Sequence, residues 1–206
     1  MKIPPLIFHI DVSGQPTEEI HVGMTSIMVN ELSDFVNNLK KNRPQFLRHN
    51  FKGSKLPFND IKSYIHYFNG QRIRMRNIRF KSPYWTDLKK YLENKKYWKE
   101  IIYATLYFIA LKEYSKENCS YPVVVCHETY LNIESVKNYL KKLGKAHKVE
   151  YQISHSYAIQ NIMIKVSDIV AIAGKKRGNF KFDLDFYKEE CPDLKLLKFY
   201  IKKLKE

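Results

Sequence analysis

The feature that most constrains the fold is the order in which two hydrophobic periods follow one another. Two β-forming runs, 6–10 and 20–29, are separated by the polar stretch QPTEE and predict an antiparallel hairpin. A helical insertion at about 31–70 follows, with helices expected over 31–41 and 60–68 around an aperiodic loop at 43–57. In QRIRMRNIRFKS, Arg72, Arg74 and Arg76 alternate with Ile73 and Met75, the period of a strand with one buried face. The alternation slips at Asn77, which predicts a β-bulge there. Beyond it come a helical region over 85–114 broken near Asn94, a strand at 121–125, a helix at 133–143 and a strand at 148–153. A helix over 157–173, capped by Ser154 or Ser156, and a basic amphipathic helix at 193–206 complete the chain. A meander followed by alternating units predicts one α/β domain over residues 1–206, a mixed sheet flanked by helices.

The net charge of +15, from 36 Lys and Arg against 21 Asp and Glu, points to a polyanionic partner, nucleic acid before a membrane surface. Three cysteines without a CxxC pair support neither a zinc ribbon nor a disulfide framework. A reduced, cytoplasmic setting is expected, in keeping with an N-terminus that lacks the apolar core of a signal peptide. The most hydrophobic segment, IIYATLYFIAL, is too short for a bilayer and reads as a buried helix, so no membrane association is expected.

Polar residues at element ends carry the chemistry. FHIDVSG ends an apolar strand on Asp11 before a Ser13-Gly14 turn, and YPVVV runs into Cys126, His127 and Glu128. Asp168 lies in IKVSDIVAIAG, an otherwise apolar helix. A carboxylate in such surroundings is costly unless paired, hydrogen-bonded or bound to a cation. Arg72, Arg74, Arg76 and Arg79, followed by Lys81, place five cations within ten residues. With Lys175, Lys176 and Arg177 they predict a track for a nucleic-acid backbone, since guanidinium suits phosphate.

These motifs resemble a family of uncharacterised proteins with a ribonuclease H-like fold, whose members open with a strand ending in Asp-Glu-Ser-Gly and close with a helix containing Ala-Asp. Here the pieces read IDVSG and VSDIVA, with HNFKGSKL and VVVCHE between them. The resemblance, from about residue 6 to 176, implies a ribonuclease H-like mixed sheet with a helical insertion. It also implies a nuclease whose carboxylates hold two Mg²⁺ or Mn²⁺ ions, about 3.5–4 Å apart, that activate a water and stabilise the leaving oxygen. Asp11 and Asp168 would be ligands, Glu128 a third, with His127 and Asn50 completing the set. Lys52 would contact a phosphate, and His155 would assist proton transfer. Val12, Asn50 and Cys126 stand where the family has acidic residues, so the same resemblance also admits a nucleic-acid-binding protein whose metal site has decayed.

Overall fold

The computed structural model describes residues 6–14, 19–48, 51–93, 95–126, 128, 130–157 and 160–204. Strands β1 (Leu6–Ser13) and β2 (Ile20–Met28) pair antiparallel as a hairpin, with Asp11 opposite Gly23. The chain turns at Gly14, whose φ of 104° suits glycine and where a Cβ would lie 2.1 Å from the Glu19 carbonyl oxygen. A 3₁₀ turn, Val29–Glu31, leads into α1 (Leu32–Asn42), and two further 3₁₀ turns, Pro44–Leu47 and Gly53–Lys55, precede α2 (Phe58–Gly70). Strand β3 (Arg74–Phe80) then adds antiparallel to β2.

The expected bulge is absent. Pairing runs without a skip from Ile20↔Phe80 to Ser26↔Arg74, with Asn77 opposite Gly23. The alternation slips because β3 is buried on both faces, and Asn77 is a buried polar residue satisfied within the core. Its side-chain amide donates to the Val170 carbonyl at 3.0 Å, and its Oδ1 lies 3.0 Å from His21 Nδ1.

The expected long helix is two, α3 (Ser82–Tyr91) and α4 (Trp98–Lys112). The break falls where the sequence placed it, although Asn94 itself lies outside the described residues. Then follow β4 (Ser120–Cys126), α5 (Ile133–Ala146), β5 (Glu150–Ser156), α6 (Ile162–Lys176), β6 (Tyr187–Glu190) and α7 (Leu194–Lys203). Ser154 and Ser156 belong to β5. Asn161 caps α6 instead, accepting from the Met163 and Ile164 amides at 2.9 and 3.2 Å.

The sheet order is β5-β4-β1-β2-β3-β6. The β1–β4, β4–β5 and β3–β6 pairs are parallel, and β1–β2 and β2–β3 are antiparallel. This six-stranded mixed sheet, flanked by seven α-helices among the described residues, is the ribonuclease H-like α/β arrangement. One face carries Phe8, Ile10, Val22, Met24, Ile78 and Phe80 into a core with α4 and α5. The other carries His9, Asp11, Gly23, Thr25 and Asn77 beneath α6, and a second core joins α6 to α1 and α2.

Small residues seat α6 close to that second face. A Cβ on Gly23 would lie 2.1 Å from the Ser167 carbonyl oxygen and 2.5 Å from the Ala171 amide. One on Gly174 would lie 2.3 Å from Asn77 Oδ1. Ser167, Ala171 and Gly174 share one helical stripe. The Ser167 hydroxyl donates to the His9 carbonyl at 3.0 Å and lies 2.7 Å from Thr25 Oγ1. No described helix is long and apolar enough to cross a membrane.

Candidate metal centre

Parallel pairing of β1 with β4 sends both strands toward the same rim of the sheet. Phe8, His9 and Ile10 lie opposite Val123, Val124 and Val125, so continuing the register sets Asp11 beside Cys126. Ligand atoms of Asp11, Cys126 and Glu128 all lie within 4.8 Å of one another. From the other side α6, held against Gly23, delivers Asp168 one residue beyond Ser167. Asp11, Glu128 and the Cys126 thiol thus meet at one place, and the charge of Asp168 on α6 acts on both carboxylates.

Their electrostatics are those of anions crowded in a dry site. Asp11 is 5 % exposed. Burial first, then the charges of Asp168 and Glu128, push its carboxyl well above the usual range. The Val12 amide, donating at 2.8 Å, and the Cys126 thiol, donating to the same carboxylate, act in the opposite sense. Burial and then Asp168 raise Glu128 to about 7. Asp168, partly exposed at the site's mouth, is raised by burial to about 6, against the pull of a hydrogen bond from the Gly53 amide. Among the described residues these influences are burial, like charges and hydrogen bonds. The relief that the geometry offers is a proton or a bound metal ion.

The donor set fits a divalent ion with one reservation of type. Carboxylate oxygens are the ligands of Mg²⁺ and Mn²⁺, whereas a thiol is a poor ligand for Mg²⁺ and a better one for softer ions. Gly53 belongs to the site although nothing in KGSK beyond its glycine signalled it. A Cβ there would lie 2.8 Å from the Cδ1 atoms of Ile169 and Ile172 and 3.0 Å from Asp168 Oδ2. Only a bare backbone comes close enough to orient that carboxylate. Lys52, its neighbour, is exposed. His127 and Asn50 lie outside the described residues.

Other expected site residues sit elsewhere. His155 pairs with Val125 in the β4–β5 register, and Val125 faces the α4–α5 core. His155 therefore projects from the face opposite Asp11, where its charge acts on Glu134 at the start of α5. Strand parity overrides its nearness to the site in sequence.

The arginine strand is not a continuous track. Arg76 is buried on the α4 side, ion-paired with Glu113 at 3.0 Å and with Glu190. Arg79, on the other face, binds Glu19 through two nitrogens at 2.8 and 2.6 Å. Arg74 lies over the Tyr114 ring at 5.7 Å, and Arg72 is exposed in the turn before β3 with φ of 58°. At the end of α6, Lys176 donates to the Ser54 and Leu56 carbonyls and Arg177 pairs with Glu189 at 2.6 Å, while Lys175 is exposed.

A cleft of about 1060 Å³ runs along the outer edge of β5, lined by Lys141, Lys145, Lys148, Gln152 and Ser154. It contains none of Asp11, Glu128 and Asp168, and the convergence of ligands marks the chemistry better than cavity size does. The three cysteines form no disulfide, Cys126 being buried and the other two exposed. No protein-family model and no curated protein matches the chain, and what the site can do follows from its donors.

Proposed function

We propose that the protein is a divalent-metal-dependent nuclease that hydrolyses phosphodiester bonds of nucleic acid, as the resemblance in its motifs implies. The observation that carries this reading is the approach of Asp11, Glu128 and Asp168, drawn from three separated segments until their charges act on one another, with raised carboxyl pKa values. Like charges brought together inside a protein serve a purpose more often at a functional site than in a core. Asp11, Glu128 and Asp168 would hold Mg²⁺ or Mn²⁺. Ions of this kind, when bound, supply charge stabilisation at phosphoryl oxygens.

The chain's own groups prepare that site. The Val12 amide fixes one Asp11 oxygen, leaving the carboxylate oriented toward Glu128 and Asp168. The Gly53 amide holds Asp168, and burial excludes competing water from Asp11. Lys52, beside Gly53, would neutralise a substrate phosphate, and the overall positive charge would draw a polyanion in.

A second reading rests on Cys126. A thiol beside Asp11 and Glu128 gives a donor set poorer in oxygen than a two-Mg²⁺ site calls for, as in a nucleic-acid-binding protein that has lost hydrolysis. Calorimetric titration with Mn²⁺ and then Mg²⁺, on wild type and Asp11→Asn, separates the two. Binding that disappears in Asp11→Asn supports the nuclease and justifies a cleavage screen on DNA and RNA. A folded protein that binds nucleic acid but neither ion rules hydrolysis out.

A further inference from the structure

Among the described residues five large apolar side chains are exposed: Val29, Tyr91, Tyr130, Tyr157 and Phe199. Two of them stand at the rim that carries the acid cluster. Tyr130 comes two residues after Glu128. Tyr157 directly follows Ser156, which lies opposite Cys126 in the β4–β5 register. We propose that Tyr130 and Tyr157 are stacking platforms for unpaired bases, so that the substrate led past the carboxylates is single-stranded nucleic acid.

The Tyr130 ring is anchored at one end and wet at the other. Tyr130 is 46 % exposed, yet its ring centre lies 6.1 Å from that of Tyr103 and the two hydroxyls are 3.4 Å apart. Tyr103 is itself fully buried, packed edge-on against Trp85 and Tyr107. The charges of Glu128 and Asp11 act on the Tyr130 hydroxyl, which places that ring within electrostatic reach of the cluster. Tyr157 is 48 % exposed, and its backbone is tied into the approach to α6 by the Gln160 and Asn161 amides, which donate to its carbonyl at 2.9 and 3.2 Å. A ring held as Tyr130 is loses little freedom when a base settles on it.

The surface beside the cluster is open as well. Helix α6 lies chiefly over β1, β2 and β3. On the same sheet face the β4–β5 pair leaves Gln152 and Ser154 exposed and Val124 half-buried. Double-stranded nucleic acid hides its base faces in the stack and offers nothing to such rings, whereas a single strand offers a π-face at every base, independent of sequence. The net charge of +15 would hold the backbone.

This inference rests on the nucleic-acid reading above, and its test separates the two. Fluorescence anisotropy of labelled single strands of about twelve nucleotides and of a duplex of equal length is measured in EDTA, so that binding is read without cleavage. The single strand is expected to bind about tenfold or more tighter. Tyr157→Ala and Tyr130→Ala should each weaken it by about fivefold or more, with Tyr→Phe retaining it. The slope of affinity on salt should stay unchanged, because stacking neutralises no phosphate.

Thermal unfolding checks that the alanine variants remain folded. Tyr157, whose side chain is exposed, keeps the test valid if loss of Tyr130 disturbs Tyr103. Equal affinity for duplex overturns the proposal. So do folded alanine variants that bind as wild type, or no binding at all. Mn²⁺ calorimetry on the same samples reports on the metal site alone: Mn²⁺ bound without a tyrosine effect sinks the platforms only, and a tyrosine effect without Mn²⁺ binding sinks hydrolysis only.

Discussion

Asp11 is the residue at which stability and function oppose one another. Its buried carboxylate is held near two others, so neutralising it should relieve the metal-free protein. Asp11→Asn, which keeps an oxygen to accept from Val12, is expected to raise unfolding stability by about 1–2 kcal/mol in EDTA. A urea titration that finds the variant less stable than wild type would mean the carboxylate is satisfied in a way the geometry does not suggest. In sequence, Asp11 and Asp168 were legible because each is a carboxylate where its surroundings are apolar. Gly53 was not, since its contribution is a backbone amide and any loop glycine reads alike. His155 was misplaced for a related reason: sequence distance from the site says nothing about which sheet face a side chain takes.

At the scale of elements, the seating of α6 on β2 decides whether the site forms. Gly23→Ala would drive a Cβ into the Ser167 carbonyl and the Ala171 amide, both backbone atoms that cannot rotate away. A loss of about 3 kcal/mol is expected, together with weaker Mn²⁺ binding because Asp168 moves with the helix. Unchanged stability by chemical denaturation would contradict this seating.

A second joint ties α4 and β6 to β3 through Arg76, whose side chain is 5 % exposed while those of Glu113 and Glu190 are 34 and 30 % exposed. Arg76→Met should cost about 2–3 kcal/mol, less than for a fully buried pair because both carboxylates keep some water. The double variant with Glu190→Gln should recover part of that loss, and a wholly additive pair would show the ion pair to be incidental.

Strands β1 to β5 and most helices could be read from their periods. Strand β6 could not, because Tyr187–Glu190 is short, mostly polar and defined only by a parallel partner far away in the chain. The arginine alternation of β3 identified a strand and yet misled about its exposure. A period of two tells which residues share a face, and only the tertiary fold tells what covers that face.

For the whole molecule, pH response is set by groups buried in opposite senses. Burial lowers the His21 pKa from 6.5 despite its contact with Asn77. Below about 6.5 the unfolded chain takes up a proton there that the folded protein resists, so this contribution to stability is present above that pH and is lost as pH falls. The site carboxylates, whose pKa values are raised, act in reverse and cost stability as pH rises toward 7. The expected result is therefore differential: between pH 7.5 and 5.5 wild type loses more stability than His21→Gln, measured by urea midpoints. Equal losses would remove His21 from the account.

The bond from Ser167 to the His9 carbonyl spans 158 positions of sequence. Everything that gathers the carboxylates depends on contacts of that range, which form slowly because the intervening chain must first be ordered. A chain emerging from the ribosome can complete β1, β2 and β3 long before α6 exists to dock on them. Asp11 then meets Glu128 once β4 has paired with β1, and the crowding is completed only when α6 closes over them with Asp168. The acid cluster is thus completed only late in synthesis, and partly made chains, however basic, carry no assembled centre.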